Sequence, residues 1–329
     1  MSKVLITGFN GCIGAATVDY LLAQGVEEVI GLSRSGASGR LSAVATEGIQ
    51  IVQGDIADAG ALGAVIREHA PSQIIHLAGL QTPDCQAQPF HGLDINLIGT
   101  ANVFKAAAAL GDRLRRFVFA SSSAVYGPRS LYPGATVLPS EPYLPPNLYG
   151  YWKTAGEGIA QAFHLETGVP TVSLRLSTTY GPGRDLGYTS APTTALKAIA
   201  LGIDYAIPYD GRETYHFVND VGAGFGEAAM AAFDGYGVFN LRGTTVHTHE
   251  FVQATRAVCD ALGKSCTVRI REAPDPYPFA CDLDDTGALA AFPLMPLTSL
   301  SSGIRESLLR FDDMVRAGTL IAEDVPEQA

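Results

Sequence analysis

"KVLITGFNGCIGAATVDYLLA", residues 3–23, joins a short branched apolar run to a glycine triplet and then to a helical pattern. The run "KVLIT" (3–7) has the character of a buried strand, and the helical pattern begins only a few residues later, at about 12–24. Between them Gly8, Gly11 and Gly14 recur at three-residue spacing. Glycines there let the main chain approach a ligand closely. The helix start behind them offers unpaired N–H groups and a favourable dipole, so the turn suits a pyrophosphate. A plain strand–helix turn also uses glycine; the place after a strand and ahead of a helix favours the phosphate reading. With Asn10, Cys12 and Ile13 in the same turn, residues 8 and 10–14 are the first candidate cofactor contacts.

The pattern repeats along the chain. "EVIGLS" (28–33), "IQIVQGD" (49–55), "QIIHLA" (73–78), "RFVFASS" (116–122) and "TVSLRLS" (171–177) read as strands, with helical patterns at about 58–69, 90–111 and 148–167. Near-continuous apolar strands alternating with helices imply an α/β fold, a doubly wound parallel sheet covered on both faces. Beyond residue 178 the alternation weakens. A helix near 190–202, a helix and the strand "VFNLRG" within 217–243, and helices at about 248–262 and 300–317 remain. We expect a dinucleotide-binding domain of residues 1–177 plus about 217–243, and a smaller substrate lobe of about 178–216 and 244–329.

Bulk properties narrow the function. A chain of 329 residues with 47% apolar content has ample material for a core. Its formal charge of −11 and lack of basic runs disfavour nucleic acid as a partner and point to a small molecule. No apolar stretch has the length of a membrane span, and "MSKVLITG" resembles a first strand more than a signal peptide. The cysteines at 12, 85, 259, 266 and 281 are odd in number and lack metal-site spacing, so we expect no metal, no disulfide framework and a cytoplasmic location.

The second strand ends where NAD-binding folds usually place an acid for the adenosine ribose. Here the sequence is "GLSRSGASGR". Ser33 and Arg34, with Ser35 and Arg40 nearby, offer hydroxyl and guanidinium donors suited to a 2′-phosphate, so NADP is the expected cofactor and NAD the alternative. Asp55 and Ile56 at the end of the third strand suit the adenine edge and face. At the end of the fourth, Ala78 and Gly79 are small enough to pass along the cofactor, and Leu77 beside them is a further candidate cofactor contact.

"FVFASSSAVYG" ends the fifth strand with hydroxyls at the carboxyl edge of the sheet, and "NLYGYWKTAGE" places Tyr149 and Lys153 one helical turn apart on one face. Taken in order, "TGFNGCIG", "FASSSAVYG", "YGYWK" and "RLSTTYGPG" resemble the extended short-chain dehydrogenase/reductases, the NAD-dependent epimerase/dehydratase family, over nearly the whole chain. The resemblance implies a Rossmann fold and a catalytic Ser122, Tyr149 and Lys153. Tyr149 would exchange a proton with the substrate hydroxyl, and Lys153 would lower its pKa and hold the nicotinamide ribose. Asn96 would support the site as a further cofactor-side residue, and a homodimer would form through helices 90–111 and 148–167.

The substrate is less legible. Family members acting on nucleotide sugars carry an asparagine where this chain has Thr178 and an arginine where it has Glu213, with Arg212 one residue off; "EAPDPYPFACD" contains no arginine. Gln81, Ser123, Thr178, Arg184 and Arg212, joined by Thr82, Tyr188 and Thr189, are the candidate substrate contacts, and His216 reads as a core residue. We expect a dehydrogenase or reductase acting on a secondary alcohol or ketone of a free sugar, sugar acid or hydroxy acid. The alternatives are a nucleotide-sugar epimerase that retains NAD, and a non-catalytic sensor or scaffold; a dehydratase is disfavoured because Ser123 and Ala124 follow Ser122 where an acid pair would stand.

Overall fold

The computed structural model describes residues 2–326. Its strands are β1 (Lys3–Thr7), β2 (Glu28–Ser33), β3 (Gln50–Gln53), β4 (Gln73–His76), β5 (Arg116–Ser122), β6 (Thr171–Leu176), β7 (Thr178–Tyr180), β8 (Tyr205–Tyr209), β9 (Arg212–Phe217), β10 (Tyr236–Asn240), β11 (Thr244–His247) and β12 (Val268–Asp275). The helices are α1 (Cys12–Ala23), α2 (Ala43–Glu47), α3 (Ala59–His69), α4 (Thr82–Ala87), α5 (Pro89–Leu93), α6 (Thr100–Ala108), α7 (Leu148–Thr167), α8 (Ala191–Leu201), α9 (Val218–Met230), α10 (Thr248–Leu262), α11 (Thr286–Ala291) and α12 (Leu300–Arg316).

Seven strands form one parallel sheet in the order β10-β6-β5-β4-β1-β2-β3. Alternate residues of β1 serve opposite faces: Val4 and Ile6 join Val18, Val118 and Phe225 in one core, and Leu5 joins Ile30, Ile74 and Phe117 in the other. Both faces are therefore dry, as the unbroken apolar runs require. The chain order reverses direction across the sheet between β1 and β4, which opens a crevice at their carboxyl ends. On one side α1 lies against α9 so closely that a Cβ at Gly222 would stand 2.4 Å from the Ala16 carbonyl carbon.

α7 is fixed at both ends. The Asn147 side chain accepts from the Gly150 N–H at 3.0 Å, and Gly168 closes the helix at φ +71°. The single helix expected over 90–111 is instead α5, a π-helical segment Asp94–Gly99, and α6. Among the described residues no helix is long and apolar enough to cross a membrane.

Two small sheets, β11-β9-β7 and β12-β8, were not anticipated by the sequence reading. They pack with α8, α10 and α12 around Tyr180, Tyr215, Phe251, Ile304 and Phe311. The loop that joins β7 to α8 beside this second core brings Arg184, Tyr188 and Thr189 to the crevice.

Candidate active site

The crevice holds a cavity of about 320 Å³. The carboxyl ends of β1 to β4 line it with Gly8, Asn10, Gly11, Cys12, Ile13 and Gly14, then Ser33 and Arg34, Asp55 and Ile56, and Leu77, Ala78 and Gly79. Two close approaches shape the floor: a Cβ at Gly14 would lie 2.3 Å from the Gly8 carbonyl oxygen, and one at Gly8 would lie 2.9 Å from the Ala78 main chain. The Ser33 hydroxyl is buried without a hydrogen-bond partner, and Asp55 is the only carboxylate on the wall among the described residues. These features fit an elongated dinucleotide whose phosphates meet main-chain N–H groups. Leu32, Gly54, Leu80 and Ile95 also line the cavity; sequence motifs alone did not single them out.

A second, smaller cavity of about 70 Å³ adjoins it and shares Ile13, Gln81 and Arg184. Ser122, Ser123 and Tyr149 line this cavity with Thr82, Ser177, Thr179 and Thr189, so its walls are rich in hydroxyls. Burial raises the Tyr149 phenol above its usual range, while a hydrogen bond with Ser122 and the charge of Arg184 pull it back. Ser122 caps its own turn, its hydroxyl accepting from the Ala124 N–H at 3.2 Å.

Lys153 departs from the sequence expectation. Its ammonium donates to the Ala120 carbonyl at 2.6 Å and sits 5.1 Å from the Phe119 ring centre and 5.5 Å from that of Tyr149. It touches the face of the Tyr149 ring, and the cation acting on the phenol is Arg184. Burial lowers the Lys153 pKa to about 8, against the opposing influence of Cys85 and Glu157.

One turn beyond Lys153, Glu157 is buried in a bidentate pair with Arg175, at 2.9 and 2.7 Å. The same carboxylate accepts from Ser121 and from Tyr143, and Arg175 reaches Tyr126 and the Pro139 carbonyl. This network ties the end of β5, which carries Ser122, to the helix that carries Tyr149. The sequence reading missed it because its members lie on four separate segments.

Other expected residues sit elsewhere. Asn96, on the π-helical segment, directs its amide at Leu80: its oxygen accepts from the Leu80 N–H at 2.7 Å and its nitrogen donates to the Leu80 carbonyl at 3.0 Å. It braces the cavity wall without lining either cavity. Thr178 is fully buried and bonds to Glu213, and Arg212 donates to the Ala135 carbonyl, so neither lines a cavity. Arg40 pairs with Asp185 at 2.5 Å and is drawn away from the role beside Ser33 that the sequence reading gave it. His216 is buried, its Nε2 accepting from the Ser177 N–H and its Nδ1 donating to the Arg242 carbonyl. Burial lowers its pKa to about 4.

The comparisons with known proteins agree on ancestry. Over 252 residues, 66% of this chain and 69% of the relative, it is 30% identical to dTDP-L-rhamnose 4-epimerase of Burkholderia thailandensis. It is 32% identical to UDP-glucose 4-epimerase of Halalkalibacterium halodurans over 61% of this chain and 58% of that protein. Among solved structures, UDP-glucose 4-epimerase of Thermus thermophilus in complex with NAD superposes with a TM-score of 0.78 at 25% identity, covering 94% of this chain and 98% of that one. Residues 4–241 match the model of the NAD dependent epimerase/dehydratase family, and the chain belongs to that family.

Proposed function

We propose that this protein moves a hydride reversibly between a secondary alcohol of a sugar-type substrate and a nicotinamide dinucleotide, and that it does so as an epimerase that keeps its cofactor. The observation that carries this reading is the Ser122–Tyr149 pair in a hydroxyl-lined cavity opening onto the dinucleotide-shaped one. The relatives named above support the epimerase reading over the net dehydrogenase that the sequence reading put first.

The dinucleotide, when bound, supplies the hydride acceptor and donor. Tyr149 takes the proton of the substrate hydroxyl as its carbon is oxidised, and returns it when the ketone is reduced from the other face. Ser122 holds the substrate oxygen beside the phenol. Lys153, packed on the Tyr149 ring, fixes that ring and places a positive charge beneath it. Buried Tyr149 holds its proton at neutral pH, so oxidation speeds up as pH rises toward its pKa, and ketone reduction is favoured below it.

The Ser33 hydroxyl and Arg34, with no acid at the end of β2, support NADP over NAD. Tighter binding of NADH than NADPH in a titration refutes that preference. Exposed Phe90, Ile98, Tyr151 and Leu165 on α5, the π-helical segment and α7 support a homodimer through these helices, which light scattering would test.

The test of the main reading is twofold. Purified protein should release bound dinucleotide on denaturation, and should interconvert sugar epimers without multiple-turnover change in absorbance at 340 nm. Sustained accumulation of reduced cofactor would favour the net dehydrogenase. Tyr149→Phe should leave cofactor binding intact and remove most turnover; unchanged turnover sinks the mechanism.

A further inference from the structure

We infer that Arg184 is an anchor for a carboxylate on the substrate, so that the molecule epimerised or oxidised is a sugar acid. This rests on the function proposed above. Arg184 lines both cavities where they meet and is the only charged side chain, among the described residues, on the wall of the smaller one. Its guanidinium has spare donors: Nη1 makes a 3.3 Å bond to the Gln81 amide oxygen, and Nε is buried with no partner. A buried N–H left unpaired is costly, and its presence beside a ligand cavity suggests that a ligand pairs it.

The loop is built to present this side chain. Gly181, Gly183 and Gly187 all have positive φ, at 121°, 89° and 109°. A Cβ at Gly187 would stand 2.8 Å from a terminal guanidinium nitrogen of Arg184 and 3.0 Å from the Gln81 amide oxygen. Asp185, next in sequence, is held from both sides, by Arg40 at 2.5 Å and Lys197 at 2.6 Å. That clip keeps the neighbouring acid away from Arg184 and fixes the loop between the two cores.

The charge balance selects the anion. One guanidinium neutralises a carboxylate and matches its two oxygens in a planar fork. A phosphate dianion in the same cavity would keep an uncompensated charge, since the remaining walls are neutral hydroxyls, an amide and apolar groups. Those hydroxyls, Ser123, Ser177, Thr179 and Thr189 among them, suit the rest of a polyhydroxylated substrate. The other anion within reach is the cofactor's own pyrophosphate, because Arg184 also faces the larger cavity.

The experiment is calorimetric titration of the protein, saturated in turn with NADP and with NAD, with matched pairs: D-glucuronate and D-glucose, D-galacturonate and D-galactose, UDP-glucuronate and UDP-glucose. At least one acid should bind about 100-fold more tightly than its neutral partner. Arg184→Gln should abolish that preference and leave the NAD dissociation constant unchanged, and Arg184→Lys should restore part of it. Should Arg184→Gln misfold, Gly187→Ala, which pushes the guanidinium aside and keeps its charge, should lower the acid preference in the same direction. Equal binding within every pair overturns the inference. So does a loss of NAD affinity in Arg184→Gln matching any loss of acid affinity, which would assign the arginine to the pyrophosphate. Failure of the proposed hydride chemistry is read separately, as absent turnover in a protein that still prefers the acid.

Discussion

Lys153 is an expensive residue, and removing it should stabilise the protein while disabling it. The side chain is 8% exposed, with one carbonyl and two ring faces around its ammonium. Burial lowers its pKa from 10.5 to about 8, and this shift corresponds to about 3 kcal/mol by which the fold disfavours the charged form. Below pH 8 the lysine is protonated in both folded and unfolded chains and that cost is fully present. Between about 8 and 10.5 the folded chain has lost the proton and the unfolded chain has kept it, so wild-type stability rises with pH. Lys153→Met keeps the apolar stem and removes the charge; it also loses the bond to Ala120, worth about 1 kcal/mol. The variant should be about 2 kcal/mol more stable than wild type at neutral pH, and this advantage should vanish near pH 10. Urea unfolding of both proteins across that range measures it. A variant less stable than wild type at neutral pH, or a difference that does not change with pH, refutes the reasoning.

Four further substitutions test the surrounding structure. Glu157→Gln leaves Arg175 buried without its counter-charge and should cost about 3–5 kcal/mol in urea unfolding; a loss below about 1 kcal/mol would mean the network does not hold β5 to α7. Gly14→Ala should abolish dinucleotide binding, because its Cβ meets main chain that cannot yield, whereas Gly158→Ala, open on the same measure, should bind normally and be no less stable than wild type. Asp185→Asn breaks a partly exposed clip and should change stability by less than about 1 kcal/mol. Because it frees the loop bearing Arg184, it should raise the substrate KM; an unchanged KM would show that the clip is not needed to position the loop.

What could be read in advance follows burial. The limits of β1, β2 and β5 coincide with their apolar runs because those runs are buried on both faces and stop where the chain reaches the crevice. α7 is legible at both ends because Asn147 and Gly168 cap it. The π-helical segment is not legible, since an inserted residue in a helix shifts the facing of side chains without altering composition. The small strands β7, β9 and β11 are short and gain their stability from the second core, so no local pattern marks them. Tyr149 and Lys153 were readable as residues of one helix, one turn apart. The electrostatic partner of Tyr149 was not, because Arg184 arrives from a loop of the other core and Lys153, the expected partner, turns to Ala120.

Thr178 and Glu213 make the same point about the substrate. In sequence they are two independent departures from the residues that the family resemblance associates with a nucleotide diphosphate. In the fold they are one interaction: β7 and β9 are paired neighbours, the Thr178 hydroxyl donates to the Glu213 carboxylate, and Tyr215 donates to it as well. Burial raises the Glu213 pKa while these two bonds oppose the shift, and Tyr209 and Tyr277 close around the same carboxylate. An arginine placed at 213 would therefore lose an acceptor for two hydroxyls and would enter a closed ring of tyrosines, with no carboxylate to pair it. Replacing either Thr178 or Glu213 alone would therefore leave the other buried without its partner. Among the described residues, Arg184 is the one charged side chain on the wall of the smaller cavity.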